Sequence, residues 1–208
     1  MTAEAQPFDL IETMKFDADE GLIELERHIA RLKGSATALG FNFDRHALRN
    51  DLQAATFRLR EDSKVRVRLS PSGATAIEVR ALPPSPSCAE VALARMPLPP
   101  DDLRLSHKTS DRGFYDEARA AAGTFEVAFL DDKDFLTEGS FTNIFVERDG
   151  MLLTPPLSRG LLPGILRAKL IEDGRAVEQD LRPADLAGGF FIGNALRGLL
   201  AAQLVAGA

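Results

Sequence analysis

One cysteine in 208 residues, Cys88, leaves no partner for a disulfide framework and too few thiolates for a metal cluster. Histidine is almost as scarce. His28, His46 and His107 are scattered and lack the spacing of metal ligands, so no metal site is expected. No apolar run reaches the ~18 residues of a membrane span. Basic residues are outnumbered, 25 against 31 acidic, and the net charge of -6 offers no footprint for nucleic acid. Small anions are not excluded by that balance, because they answer to local arginines. The opening "MTAEAQPFDL" is acidic and has no apolar core, unlike a secretion signal. The expectation is a cytoplasmic protein with neither a membrane nor a nucleic-acid partner.

What is present is an ordinary globular composition, 45% hydrophobic and 27% charged, long enough to bury a core as one large domain or two small ones. Neither an internal repeat nor a low-complexity tract interrupts it. "FDLIETMKF" alternates as a strand from Phe8 to Phe16, and "ADEG" supplies a turn. From Glu24, the residues Leu25, Ile29, Leu32, Ala36 and Leu39 form a core-facing helical stripe that Gly40 ends. A second helix is predicted over 44–59, with Asp44 as its N-cap. "KVRVRLS" and "TAIEVRAL" make a hairpin around "PSG", with Arg66 and Arg68 on one face and Val65, Val67 and Leu69 on the other.

"LPPSPS" is stiff and poor in donors, and it marks a boundary. The chain is therefore divided into a small α/β domain over 1–82, a linker at 83–88 and a larger domain over 89–208. The second half is strand-rich ("EVALARM", "FEVAFLD", "NIFVE", "MLLTPP", "GFFIGNAL"). Two helices interrupt it, one starting near Phe114 and one after "LLPG" at Gly164.

Four stretches of that half carry polar residues in conspicuous places. "HKTSDRGFYDEAR" holds Lys108, which base rates assign to a solvated surface. "LTEGSFTNIFVE" sets Glu138 beside a glycine, which by itself reads as a loop-edge acid. "GLLPGILR" opens a helix on a glycine, where free N–H groups and the positive dipole end can receive a phosphate. "FFIGNALRG" brings Asn194 and Arg197 out of an apolar strand between glycines that permit close approach.

In this order, with "FDLIETM" and "LERHIARLKGSA" before them, these stretches resemble the class IV aminotransferases. Those are the fold-type IV enzymes of pyridoxal 5′-phosphate (PLP), and the likeness is greatest to their 4-amino-4-deoxychorismate lyase branch. It runs from about Phe8 to the C-terminus. It implies an α+β fold with the cofactor in a cleft between a small and a large domain, a homodimer, and an anionic small-molecule substrate.

It also implies roles. Lys108 would form the Schiff base with PLP and shuttle the proton, chemistry that suits an amine whose pKa falls on burial. Glu138 would pair with the pyridinium nitrogen. Arg31, on the predicted helix 24–40, would grip the phosphate as a forked donor, although the helical wheel alone calls it solvated. Backbone N–H groups of Gly164, Ile165 and Leu166 would cap the same phosphate, with Asn194 adding a bond. Leu166 stands where the family often has threonine, so one hydroxyl contact is missing.

The reaction implied is conversion of 4-amino-4-deoxychorismate to 4-aminobenzoate and pyruvate, a step of folate biosynthesis. The alternatives are a class IV transaminase acting on branched-chain or D-amino acids, and a cofactor-free partner domain of a chorismate-processing synthase. Association with such a synthase component also fits the lyase reading. Candidate carboxylate receptors are Arg66, Arg68, Arg112 and Arg197. Tyr115, the only tyrosine, either faces the cofactor or packs helix against sheet with its hydroxyl wet. His28 and His46 read as helix-surface groups, and Cys88 has no activating neighbour in sequence.

Overall fold

The computed structural model describes residues 8–205. The leader-free opening read from sequence therefore lies, up to Pro7, outside the described residues, as do 206–208. The chain divides into two compact units. One runs to Pro83 and regains His107–Asp111; the other comprises Pro84–Ser106 and everything from Arg112 onward.

In the first unit, strands β1 (Leu10–Asp17), β2 (Gly21–Leu22), β3 (Ser63–Leu69) and β4 (Thr75–Ala81) form an antiparallel sheet in the order β2-β1-β3-β4. Alternation decides which face is buried: Val65, Val67 and Leu69 are inside, while Arg68 points to solvent. Helix α1 (Leu25–Leu39) lays Ile29, Leu32 and Ala36 on that face, and Gly40 ends it in the left-handed region at φ 71°. Helix α2 (Arg45–Thr56) begins at Asp44, whose Oδ1 accepts from the N–H groups of His46 and Ala47. It buries Leu48 and Leu52 and stops at Thr56, three residues before the expected end.

The second unit holds an eight-stranded mixed sheet in the order β10-β9-β8-β11-β12-β5-β6-β7. Its strands are β5 (Ala89–Arg95), β6 (Glu126–Leu130), β7 (Leu136–Gly139), β8 (Asn143–Arg148), β9 (Met151–Thr154), β10 (Ala176–Glu178), β11 (Phe190–Asn194) and β12 (Gly198–Leu204). One turn of helix, α3 (Leu103–Ser106), precedes α4 (Gly113–Ala122), and α5 (Ile165–Glu172) follows β9. Leu105 and Tyr115 pack with Val127 and Phe129 of β6. On α5, Leu170 and Leu166 pack with Phe145, Leu152 and Phe191. Each fully buried side chain of this size contributes roughly 1.5–3 kcal/mol.

Residues 107–111 were grouped by sequence with the larger domain, but their backbone partners lie in the first unit. Ile11 N–H donates to the Lys108 carbonyl at 2.8 Å and Ser110 N–H to the Asp9 carbonyl at 2.7 Å, with Leu10 bridging Thr109. Strand β2 covers β1 only at Phe16 and Asp17, so the start of β1 has an open edge that this segment fills.

Candidate active site

The sequence-predicted residues fall into two groups. In the first unit, β1 gathers Lys108 and Arg31. Lys108 is held at its backbone by Ile11, and the next residue, Glu12, faces inward at 2% exposure. Glu12 takes a two-pronged contact from Arg31, Nε to Oε1 at 2.8 Å and Nη2 to Oε2 at 2.7 Å, and its Oε2 lies 2.7 Å from His28 Nδ1. Burial raises the Glu12 carboxyl's pKa, but the Arg31 charge and the hydrogen bonds from His28 and Arg31 outweigh that and bring it to about 2.

Two expectations are corrected here. Arg31 is not a solvated helix residue, since its side chain keeps only 12% of its surface. His28 is not a surface group either, at 1% exposure. Spacing could have found only one of them. His28 lies three residues after Leu25 and four before Leu32, beside the core stripe, whereas Arg31 lies well off that stripe and is covered through its contact with Glu12. Glu12, which sequence reasoning passed over, had no signal beyond being an acid in a buried strand. His107 Nδ1 sits 3.0 Å from Ser35 Oγ, and burial lowers its pKa.

The second unit holds the remaining candidates. Glu138 is in a strand, not a loop edge, and only 2% exposed. Leu136 pairs with Leu130 and Gly139 with Ala128, so three steps of β7 span two of β6 and an extra residue bulges across Thr137–Glu138. Bulges re-aim side chains. Here the carboxylate meets the Tyr115 hydroxyl, which donates to Oε1 at 2.5 Å, and the Leu162 N–H, which donates to Oε2 at 3.1 Å. The Tyr115 hydroxyl is buried and bonded to an acid, so the wet alternative fails. Burial first, and the Glu138 charge second, push its pKa well above the ordinary phenol range.

Helix α5 starts at Gly164 without a side-chain cap, leaving the N–H groups of its first turn to other acceptors. A Cβ on Gly164 would overlap the side-chain oxygen of Asn143, whose Nδ2 donates to the Leu162 carbonyl. Leu166 is packed rather than aimed outward: its Cδ2 lies where a Cβ on Gly193 would come within 2.8 Å. Asn194 ties its own turn, with Oδ1 accepting from Leu196 and Arg197 N–H and Nδ2 donating to the Phe141 carbonyl.

The four arginines separate. Arg68 is an exposed partner of Asp9, and Arg197 reaches Pro84 and Ser85. Arg66 is half-buried with an unpartnered Nε. Arg112 stands 4.2 Å over the Tyr115 ring and donates to the carbonyls of Arg104 and Ser140.

Beside Glu138, Glu126 is fully buried and unforeseen. It accepts from the N–H groups of Val127, Ser140 and Phe141 and from the hydroxyls of Ser140 and Thr142, which fixes the turn after β7. A shallow groove on the outer face of α1, lined by Glu26, Ala30, Lys33, Gly34, Thr37 and Arg45, contains none of the predicted residues. No cluster of metal-ligating side chains occurs among the described residues.

Each unit by itself offers groups chemically apt for PLP: the first an amine for its aldehyde and a guanidinium for its phosphate, the second a buried acid for its ring nitrogen and an uncapped helix start. A family model described as amino-transferase class IV matches residues 9–205. A Mesorhizobium loti structure provisionally assigned as an amino-acid aminotransferase is 37% identical, with a TM-score of 0.89, over 95% of this chain and all of that one. A Schizosaccharomyces pombe protein provisionally named an aminodeoxychorismate lyase is 28% identical over 184 residues, 83% of this chain and 77% of that protein. A Thermotoga maritima protein, assigned as a branched-chain-amino-acid aminotransferase, is 26% identical over 73% of this chain and 58% of its own length.

Proposed function

The chain belongs to the class IV aminotransferases, which are enzymes of PLP, and from that premise we propose that it is a 4-amino-4-deoxychorismate lyase releasing 4-aminobenzoate and pyruvate. The observation that carries the cofactor half of this reading is the buried, doubly held Glu138 carboxylate. The lyase half is supported by "HKTSDRGFYDEAR" and "GNALRG", and by the 28% identical relative of that name.

PLP, when bound, supplies an electron sink conjugated to the carbon that bears the substrate's nitrogen. The residues of this chain do the rest. Lys108 Nζ is the amine that would hold the cofactor, and it would take the proton from that carbon. Glu138 sets a negative charge against the ring nitrogen and keeps it protonated. Arg31, steadied by Glu12, and the first N–H groups of α5 are the groups that would hold the phosphate. Arg112 receives a substrate carboxylate. With that proton held by Lys108, the C–O bond at the neighbouring substrate carbon would break, the enolpyruvyl group would take up a proton and leave as pyruvate, and the aromatic ring left behind would make the loss strongly downhill.

The test is incubation with 4-amino-4-deoxychorismate and no keto acid. Pyruvate without an acceptor is the expected outcome. Turnover that demands a keto acid and an amino acid would establish the second reading, an aminotransferase, which the 37% identical structure favours. Lys108→Ala should abolish both the visible absorbance with PLP and turnover, and survival of both removes Lys108 from the mechanism. Protein that takes up no PLP at all would point to the cofactor-free partner domain. We also propose a homodimer, to be checked by sedimentation equilibrium.

A further inference from the structure

Tyr115 holds its place through apolar contacts that do not involve its hydroxyl. The ring packs edge-on against Phe129 at 5.4 Å between centroids and lies 4.0 Å from that of Phe114. Phenylalanine would satisfy that packing equally well. The hydroxyl, at 1% residue exposure, is spent on one acceptor, Glu138 Oε1. Three separate pieces of chain converge on that carboxylate: the first turn of α4 through Tyr115, the bulge of β7 that carries Glu138, and the approach to α5 through Leu162.

The kind of donor matters. A phenol and a peptide N–H fix the direction of a carboxylate while bringing no positive charge of their own, whereas the Arg31 guanidinium that grips Glu12 brings one. Arg112, one step back over the Tyr115 ring, draws electron density from the phenol and strengthens its O–H as a donor. The raised proton affinity of the hydroxyl keeps it a donor at any working pH.

We propose that Tyr115 is a positioning residue for Glu138, its hydroxyl aiming the carboxyl group and thereby setting how strongly that acid meets the ring nitrogen of PLP. This rests on the reading of Glu138 given above. Tyr115 itself forms no bond to cofactor or substrate in this scheme, and Arg112, whatever it does as a carboxylate receptor, acts on Glu138 only through the phenol.

The experiment is a double-mutant cycle on the full chain with Tyr115→Phe, Glu138→Gln and the pair, read by PLP titration, by the visible band of the bound cofactor, and by the melting temperature without PLP. Tyr115→Phe should weaken PLP binding by about tenfold, the lower end of what one hydrogen bond to a charged group is worth. It should shift the visible band in the same direction as Glu138→Gln, and have no further effect once Glu138 is already glutamine. Effects that simply add, or a Tyr115→Phe protein with wild-type affinity and spectrum beside a weakened Glu138→Gln, would overturn the proposal while leaving the reading of Glu138 intact. If Glu138→Gln is itself without effect, that reading is what fails, and the proposal falls with it.

Because Tyr115 is the only tyrosine in the sequence, global incorporation of 3-fluorotyrosine labels this position alone and needs no mutation there. Its fluorine resonance should move in Glu138→Gln and again on addition of PLP. A resonance indifferent to Glu138→Gln sinks the contact on which the proposal stands.

Discussion

Glu12 and Glu126 are both acids buried by a strand, yet they answer to different partners, and their substitutions should behave differently. Glu126 is held by five N–H and O–H donors from its own strand and the Ser140–Thr142 turn. Glu126→Ala would leave several of those donors unsatisfied, and a loss of about 3 kcal/mol in denaturant unfolding is expected. Glu12 titrates. Its folded pKa of about 2 lies below the ordinary 4.5, so the unfolded chain binds more protons in that interval. The stability it contributes is present above pH 4.5 and lost as pH falls towards 2. Melting temperature should therefore drop across that window, and Glu12→Gln should flatten the drop while lowering stability at neutral pH.

Neither acid was legible in the sequence, because a lone glutamate in an apolar run looks alike whether it is partnered or strained. Lys108 and Glu138 were singled out only through the order of motifs around them. No periodicity distinguishes either from a surface residue.

At the scale of elements, long periodic segments were readable and short ones were not. The stripe of α1, the Asp44 cap and the β3–β4 hairpin follow from spacing alone. Strands β7 and β10 have four and three residues, too few for alternation to register, and "GLLAAQL" of β12 is apolar without a period of two. The bulge that turns Glu138 is a matter of register with β6, which a single strand's sequence does not contain.

Helix α5 supplies two expectations. Gly164→Ala would collide with Asn143 and should displace the helix start, lowering both stability, by about 1–3 kcal/mol, and PLP affinity in titration. Leu166→Thr restores the hydroxyl common in the family, but it removes a side chain packed at Gly193 and among Phe145 and Leu170. Thermal melts should show it to be destabilised by about 1–2 kcal/mol.

For the whole molecule, the chain's path matters more than its length. It leaves the first unit at Pro83, returns for His107–Asp111, and leaves again. "LPPSPS" was visible as a break, but the return was not, since a five-residue segment completing a distant strand edge has no local signature. Ser110→Pro tests that return. Proline suits the extended backbone of Thr109 before it but removes both the N–H given to the Asp9 carbonyl and the hydroxyl that accepts from the Asp9 N–H, a loss of about 2 kcal/mol. Faster hydrogen exchange at the Ile11 amide and weaker PLP uptake are expected together. Among the described residues, no helix is long and apolar enough to cross a membrane.

Anchoring Lys108 to β1 means that its location is dictated by a strand nearly a hundred positions earlier rather than by its neighbours in the chain. Loops between Pro84 and Ser106 can thus lengthen or shrink during evolution, or in an engineered library, without dislodging the amine. A one-residue deletion inside β1 has no such freedom: it would shift Ile11, which holds the Lys108 backbone, against its partner strand β3 at a stroke.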